Sequence, residues 1–201
     1  MSSLPSERLD HRIPPAGLAH VADAGIAGLG STEATVLRER LALERCRVAR
    51  ARARADLARV TARRRATRAD VKVATAERSA ALAHADASAG ERAAQAIAAA
   101  KDATTVLRLL IQWKRAAVVA AKARVGSTTA AVRKAAAELE LKRARLVITR
   151  DHGARQPYVD QLEALAKVHR KAHRHATSRV AEAERLRLVW EAAAADHGLP
   201  I

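Results

Sequence analysis

The chain has 201 residues, 37 Lys and Arg against 21 Asp and Glu, and a formal charge of +16. It holds no Phe, one Tyr and two Trp, so it lacks the aromatic side chains that usually fill the centre of a compact globule of this size. A single cysteine, Cys46, excludes an internal disulfide framework, and the excess of cations favours anionic partners.

Residues 1 to 30 read as an extended arm. Pro5, Pro14, Pro15, Gly17, Gly25, Gly28 and Gly30 break any helix longer than a turn or two. Leu18, Val21 and Ile26 suit docking of a short piece on the rest of the chain or on a partner; a plain tail is the alternative. Glu7, Asp10 and Asp23 interrupt any secretory-type apolar core. The most apolar stretch, Val106 to Val125, is broken by Arg108, Lys114, Arg115, Lys122 and Arg124, so no membrane span is expected. A soluble, cytoplasmic protein is the expectation.

Ser31 has the chemistry of an N-cap, with Glu33 favourable in the first turn. The helix after it meets no proline or glycine before Gly90. From Thr32 to Asp86 it would span about 80 Å at roughly 1.5 Å per residue. Spacings of four and three pick out a seam of Leu37, Leu41, Glu44, Val48, Ala51, Ala55, Ala58 and Ala62. In that register Arg38, Arg45, Arg52 and Arg59 border one side, and Arg40, Arg47, Arg54 and Arg68 the other. Cys46 is a small apolar residue near the seam. Arginine on both borders disfavours a parallel homodimer, while the alanine seam suits closure within one chain or between two.

Residues 86 to 91 read as a turn, with Ser88 and Glu91 spaced as a capping box. The second helix starts near Ala89. Its run Val106, Leu107, Leu109, Leu110, Ile111, Trp113, Val118 and Val119 marks the thickest core. Gly126, Ser127 and Thr128 either stop this helix or sit inside it; continuity, or a mild kink, carries it to about Arg150. Asp151, His152 and Gly153 end it. Pro157 suits the first turn of a last helix, and Gly198 followed by Pro200 ends that helix. Trp113 and Trp190 read as packing anchors.

The fold class is therefore all-α: an elongated antiparallel coiled coil or three-helix bundle of long Ala/Arg-rich helices with an N-terminal arm. The expected organisation is an arm at 1–30, a helical hairpin at 31–153 and a C-terminal helix at 154–201 packed on the hairpin.

The arginines are the main candidate site. Residues 37 to 69 hold twelve of them against Glu39, Glu44 and Asp56, and residues 103 to 137 hold seven basic groups and no acid. The candidates for binding an anionic partner are Arg38, Arg40, Arg45, Arg47, Arg52, Arg54, Arg59, Arg63, Arg64, Arg65 and Arg68, then Lys114, Arg115, Lys122 and Arg124, then Arg170, Lys171 and Arg174. His169 and His173 share a helix face, but no third ligand accompanies them, so no metal site is read there. With His175 they form a basic face that titrates near neutral pH. No phosphate loop or nucleophile motif is present, and neither a catalytic residue nor a cofactor is expected.

These features suit a non-enzymatic assembly or adaptor protein that docks on an acidic protein surface. The alternative is a nucleoid- or packaging-type protein that grips nucleic acid by its backbone without reading sequence, since base-stacking aromatics are nearly absent. A phage structural protein fits the same features. The helix Thr32 to Asp86, its return from Ala89 to about Arg150 and the arginine bias resemble the central-stalk coiled coils of type III secretion and flagellar export ATPases. That resemblance implies a basic helical hairpin inserted into a ring ATPase. The proline-rich arm and the helix from Pro157 are additional to the hairpin pattern.

Overall fold

The computed structural model describes residues 30–84, 86–147 and 153–198, and all of these elements are helical. Helix α1 spans Ser31–Ala83 (53 residues), α2 spans Ala87–Val147 (61 residues) and α3 spans Gln156–Asp196 (41 residues). A short 3-10 turn, Gly153–Arg155, leads into α3. The described residues contain no strand. The expected arm, apart from Gly30, lies outside them, as do Asp151, His152 and Pro200.

Helix α2 is the centre. Both α1 and α3 pack along it and barely meet each other. Its sequence supports this with two covered rows. In one, Ile97, Thr104, Ile111, Val118 and Val125 recur every seven residues, joined by Ala93, Ala100, Leu107 and Ala135. In the other, Val106, Trp113, Ala120 and Ser127 recur every seven, continued by Ala130, Ala137 and Ala144. Trp113 stacks on Trp190 of α3, so the second row is the α3 side. The first row, with Leu107 and Ile111 buried, is left to α1. The expected thick core at 106–119 is present at Val106, Leu107 and Ile111, but Val119 points to solvent. Helix α2 runs unbroken through Gly126, as continuity required.

The packing row of α1 differs from the expected seam. The covered residues are Val36, Leu43, Arg50, Leu57, Arg64 and Val71, interleaved with Cys46, Ala53, Val60, Thr67, Ala74 and Ala81. Ala51, Ala55, Ala58 and Ala62 are exposed, Val48 is 51% exposed, Glu44 is exposed, and Leu37 and Leu41 are half-covered. The cause is side-chain size. Burying a leucine or valine gains about 1.5–3 kcal/mol, far more than burying alanine, so Leu43, Leu57, Val60 and Val71 choose the face. The alanines then turn outward.

The helix ends also correct two expectations. Gly30, rather than Ser31, precedes α1, and its N–H donates to Glu33 Oε2 at 3.2 Å. The other oxygen of Glu33 pairs with Arg143 Nη2 at 3.4 Å, and Lys142 Nζ donates to Thr32 Oγ1 at 3.1 Å. The start of α1 is thus fastened to the end of α2. At the opposite end the cap of α2 is Asp86, not Ser88. Asp86 Oδ1 accepts the Ala89 N–H and the Ser88 hydroxyl, both at 3.0 Å. A carboxylate is the stronger acceptor at a helix N-terminus, so Ser88 is drawn into the helix. These bonds, the Ala89 N–H first, hold the Asp86 carboxyl below its ordinary pKa.

Helix α3 begins as Pro157 suggested, with that proline in its first turn, and stops at Asp196, two residues before Gly198, whose φ of 61° suits glycine. No described helix is long and apolar enough to cross a membrane.

Candidate anion-binding faces and the groove between helices

The shift of register redistributes the arginines of α1. Arg40, Arg47, Arg54 and Arg68 border the packing row, Arg38, Arg45, Arg52 and Arg59 lie further round, and Arg63 and Arg65 are also exposed. Two of these are paired on their own helix: Arg47 to Glu44 at 2.6 Å and Arg59 to Asp56 at 2.9 Å. Such exposed pairs contribute little stability. Among the described residues no carboxylate lies within 4.0 Å of Arg38, Arg40, Arg45, Arg52, Arg54, Arg63, Arg64, Arg65 or Arg68.

Arg50 and Arg64 stand in the packing row itself, at the positions where Leu43, Leu57 and Val71 also stand. Each has its Nε buried with no hydrogen-bond partner. Burial first, and then the cations of Arg68, Arg108 and Arg115, hold the Arg64 pKa below its ordinary value. The cations of Arg68 on α1 and of Arg108 and Arg115 on α2 therefore bear on Arg64, and none of the four has a carboxylate within 4.0 Å among the described residues. The sequence candidates supplied three of the four. Arg108 and the half-covered Arg50 were missed as site residues. For Arg50 the signal was the heptad register of α1, in which Arg50 and Arg64 repeat at the spacing of leucine; Arg108, on α2, had no such signal.

On the α3 side the cations are used differently. Trp113 and Trp190 stack with centroids 5.0 Å apart and 21° between planes. Lys114 Nζ lies 4.1 Å from the Trp113 centroid, a cation–π contact that takes it out of the free anion-binding set. Arg115, Lys122 and Arg124 of α2 are exposed, as are Arg170, Lys171 and Arg174 of α3. The α3 trio is not brought to the Arg64 cluster by any described contact. The His169 and His173 rings are 6.1 Å apart, and no three His, Cys, Asp or Glu among the described residues converge as metal ligands.

Where all three helices meet lies an open groove of about 480 Å³. Its floor is small and apolar, with Ala117, Ala120 and Ala121 of α2 and Ala183 of α3. Trp113 and Cys46 also face it, and arginines Arg45, Arg124 and Arg187 stand around it. Arg187 is compensated by Glu184 and by Glu191 at 3.0 Å, hydrogen bonding to Glu184 being the main reason that its pKa is raised. Arg45 and Arg124 have no such partner among the described residues.

Comparison with protein-family models, with curated proteins and with solved structures finds no match to this chain.

Proposed function

We propose that the chain is a non-enzymatic assembly or adaptor protein: an antiparallel coiled-coil scaffold of three helices whose basic faces dock on an acidic protein surface. A stalk-type component of a secretion or other macromolecular machine, seated in a ring ATPase, is the form of this reading that the helical hairpin and arginine bias suggest. One observation carries it. Arg50 and Arg64 stand in the α1–α2 packing row with Nε buried and unpartnered, and Arg64 feels the cations of Arg68, Arg108 and Arg115 with no carboxylate within 4.0 Å among the described residues. Gathering like charges costs free energy in the isolated chain, and an anionic partner removes that cost on arrival.

The second reading, a nucleic-acid binder without sequence preference, is favoured by the unpaired arginines strung along α1 from Arg38 to Arg68. At 1.5 Å per residue these cover about 45 Å of a straight helix, a length over which a duplex offers many phosphates. The test compares poly-glutamate with a random-sequence duplex across a salt series. The adaptor reading expects poly-glutamate binding that weakens in an Arg64→Gln/Arg108→Gln variant, with little duplex binding above about 50 mM salt. Tight duplex binding with a log–log slope of several phosphates, and co-purifying nucleic acid, would reverse the order of the two.

A further inference from the structure

The groove where α1, α2 and α3 meet has the form of a seat for one more helix of a bundle. Two helices lie side by side on α2 without closing on each other. Between them the floor is mostly alanine, which lets another backbone approach closely, with Val180 and Trp113 beside it. A four-helix bundle fills such a position with a helix that presents a stripe of larger apolar side chains.

We propose that this groove is the docking site for an amphipathic helix of a partner, with apolar side chains on its inward stripe and Asp or Glu along its flanks. Charge selects the occupant. Arg45 on α1 and Arg124 on α2 stand at the groove without a carboxylate among the described residues. Arg187 opposite them is already neutralised by Glu184 and Glu191. An incoming helix therefore meets uncompensated cations on the α1–α2 side and an apolar floor beneath. A nucleic-acid strand fits this place poorly: its phosphates would face alanine, and Trp113, the one aromatic ring at the groove, is already stacked on Trp190. A second copy of the chain would bring arginine against arginine, since α1 carries unpaired cations on several sides. Recognition follows the helix-in-groove mode, in which apolar anchors at i, i+3, i+4 and i+7 give affinity and flanking charges give orientation. The inference rests on the assembly reading for the acidity of the partner. It adds the partner's form and the place where it sits.

The chain supplies its own reporters. Cys46 is the one thiol and lines the groove, and Trp113 is one of two indoles. The probe is a synthetic helical peptide of about three heptads, with Leu on its inward stripe and Glu at the flanks. Controls are a scrambled peptide of the same composition and a random duplex. The full-length protein is titrated while tryptophan emission and the reaction rate of Cys46 with a thiol reagent are followed. The peptide is expected to change the emission and slow Cys46 modification. The scramble should bind at least about tenfold more weakly. Arg45→Glu and Arg124→Glu, both at exposed positions, should weaken the peptide by about tenfold or more while leaving helical circular dichroism unchanged. Ala49→Trp, also exposed and lining the groove, should block the peptide sterically.

Equal binding of peptide and scramble would overturn the proposal, because charge alone would then suffice. So would displacement of the peptide by the duplex together with Cys46 protection by the duplex. A Cys46 unreactive before any addition, with a silent peptide, would mean that the chain fills the groove itself, and the external occupant falls. The two readings fail separately: poly-glutamate bound through the Arg64 cluster, with a silent amphipathic peptide, rejects the groove and leaves the assembly reading standing.

Discussion

Replacing Arg64 with leucine should stabilise the protein. The position is half-covered, between Leu57 and Val71 in the packing row, and its Nε is buried without a partner. Full burial of a leucine is worth about 1.5–3 kcal/mol, so half burial gives roughly 1 kcal/mol. Removing a cation that Arg68, Arg108 and Arg115 oppose adds a little to this, because solvent screens half-covered charges. The expected gain is about 1–2 kcal/mol. For a chain of this length each kcal/mol moves Tm by about 2–4 °C. The assay is thermal unfolding followed by helical circular dichroism, at about 20 mM and about 500 mM salt. In the wild type, salt should raise Tm by screening the cluster; in Arg64→Leu that dependence should shrink as the starting Tm rises. Poly-glutamate affinity should fall at the same time. An Arg64→Leu protein less stable than wild type, with an undiminished salt dependence, would refute the account of the cluster as an uncompensated one.

Four further expectations follow from the same geometry. Leu43→Ala should cost about 2–3 kcal/mol in a denaturant titration and Val48→Ala less than about 0.5, because Leu43 is in the packing row and Val48 faces solvent; equal costs would restore the alanine seam. Gly126→Ala should stabilise by about 0.5–1 kcal/mol, since a Cβ there meets nothing within 4 Å and the helix is continuous. Trp113→Ala should cost about 2 kcal/mol, less than the loss of a fully buried ring, and abolish the near-ultraviolet dichroism of the indole pair. Asp86→Ala should lower Tm while Asp86→Asn largely keeps it, because asparagine also caps. The folded pKa of Asp86 lies below its unfolded value, so its contribution is present above the ordinary carboxylate range. It is lost as pH falls through the depressed folded value, and Tm of wild type and Asp86→Ala should converge in acid.

The helical class, the three helices, the passage through Gly126 and the last helix between Pro157 and Gly198 were legible because proline, glycine and their absence are strong local signals. The face of α1 was not. Alanine is so frequent there that two registers two residues apart both give a heptad, and only the sparse large side chains, Leu43, Leu57, Val60 and Val71, distinguish them. That slip hid the most unusual feature of the row, Arg50 and Arg64 at apolar positions. Asp86 was overlooked for a similar reason: Ser88 and Glu91 matched a familiar spacing, while a stronger acceptor stood two residues earlier. The meeting of Arg64 with Arg108 and Arg115 needs the alignment of two helices, and spacing within one helix carries no trace of it.

The fastenings at the two ends of the α1–α2 pair bear on how the pair holds its alignment. Alanine knobs interlock weakly, so a long alanine-rich interface offers shallow resistance to lengthwise sliding. Here the sliding coordinate is limited by the short connection capped at Asp86 on one side, and the exposed contacts of Glu33 with Arg143 and Thr32 with Lys142 mark the register on the other. Between these ends stand Arg50 and Arg64, whose buried Nε atoms have no hydrogen bond to lose in a small axial shift. A lengthwise shift of α1 would therefore be resisted at the Asp86 connection before it was resisted at Arg50 or Arg64.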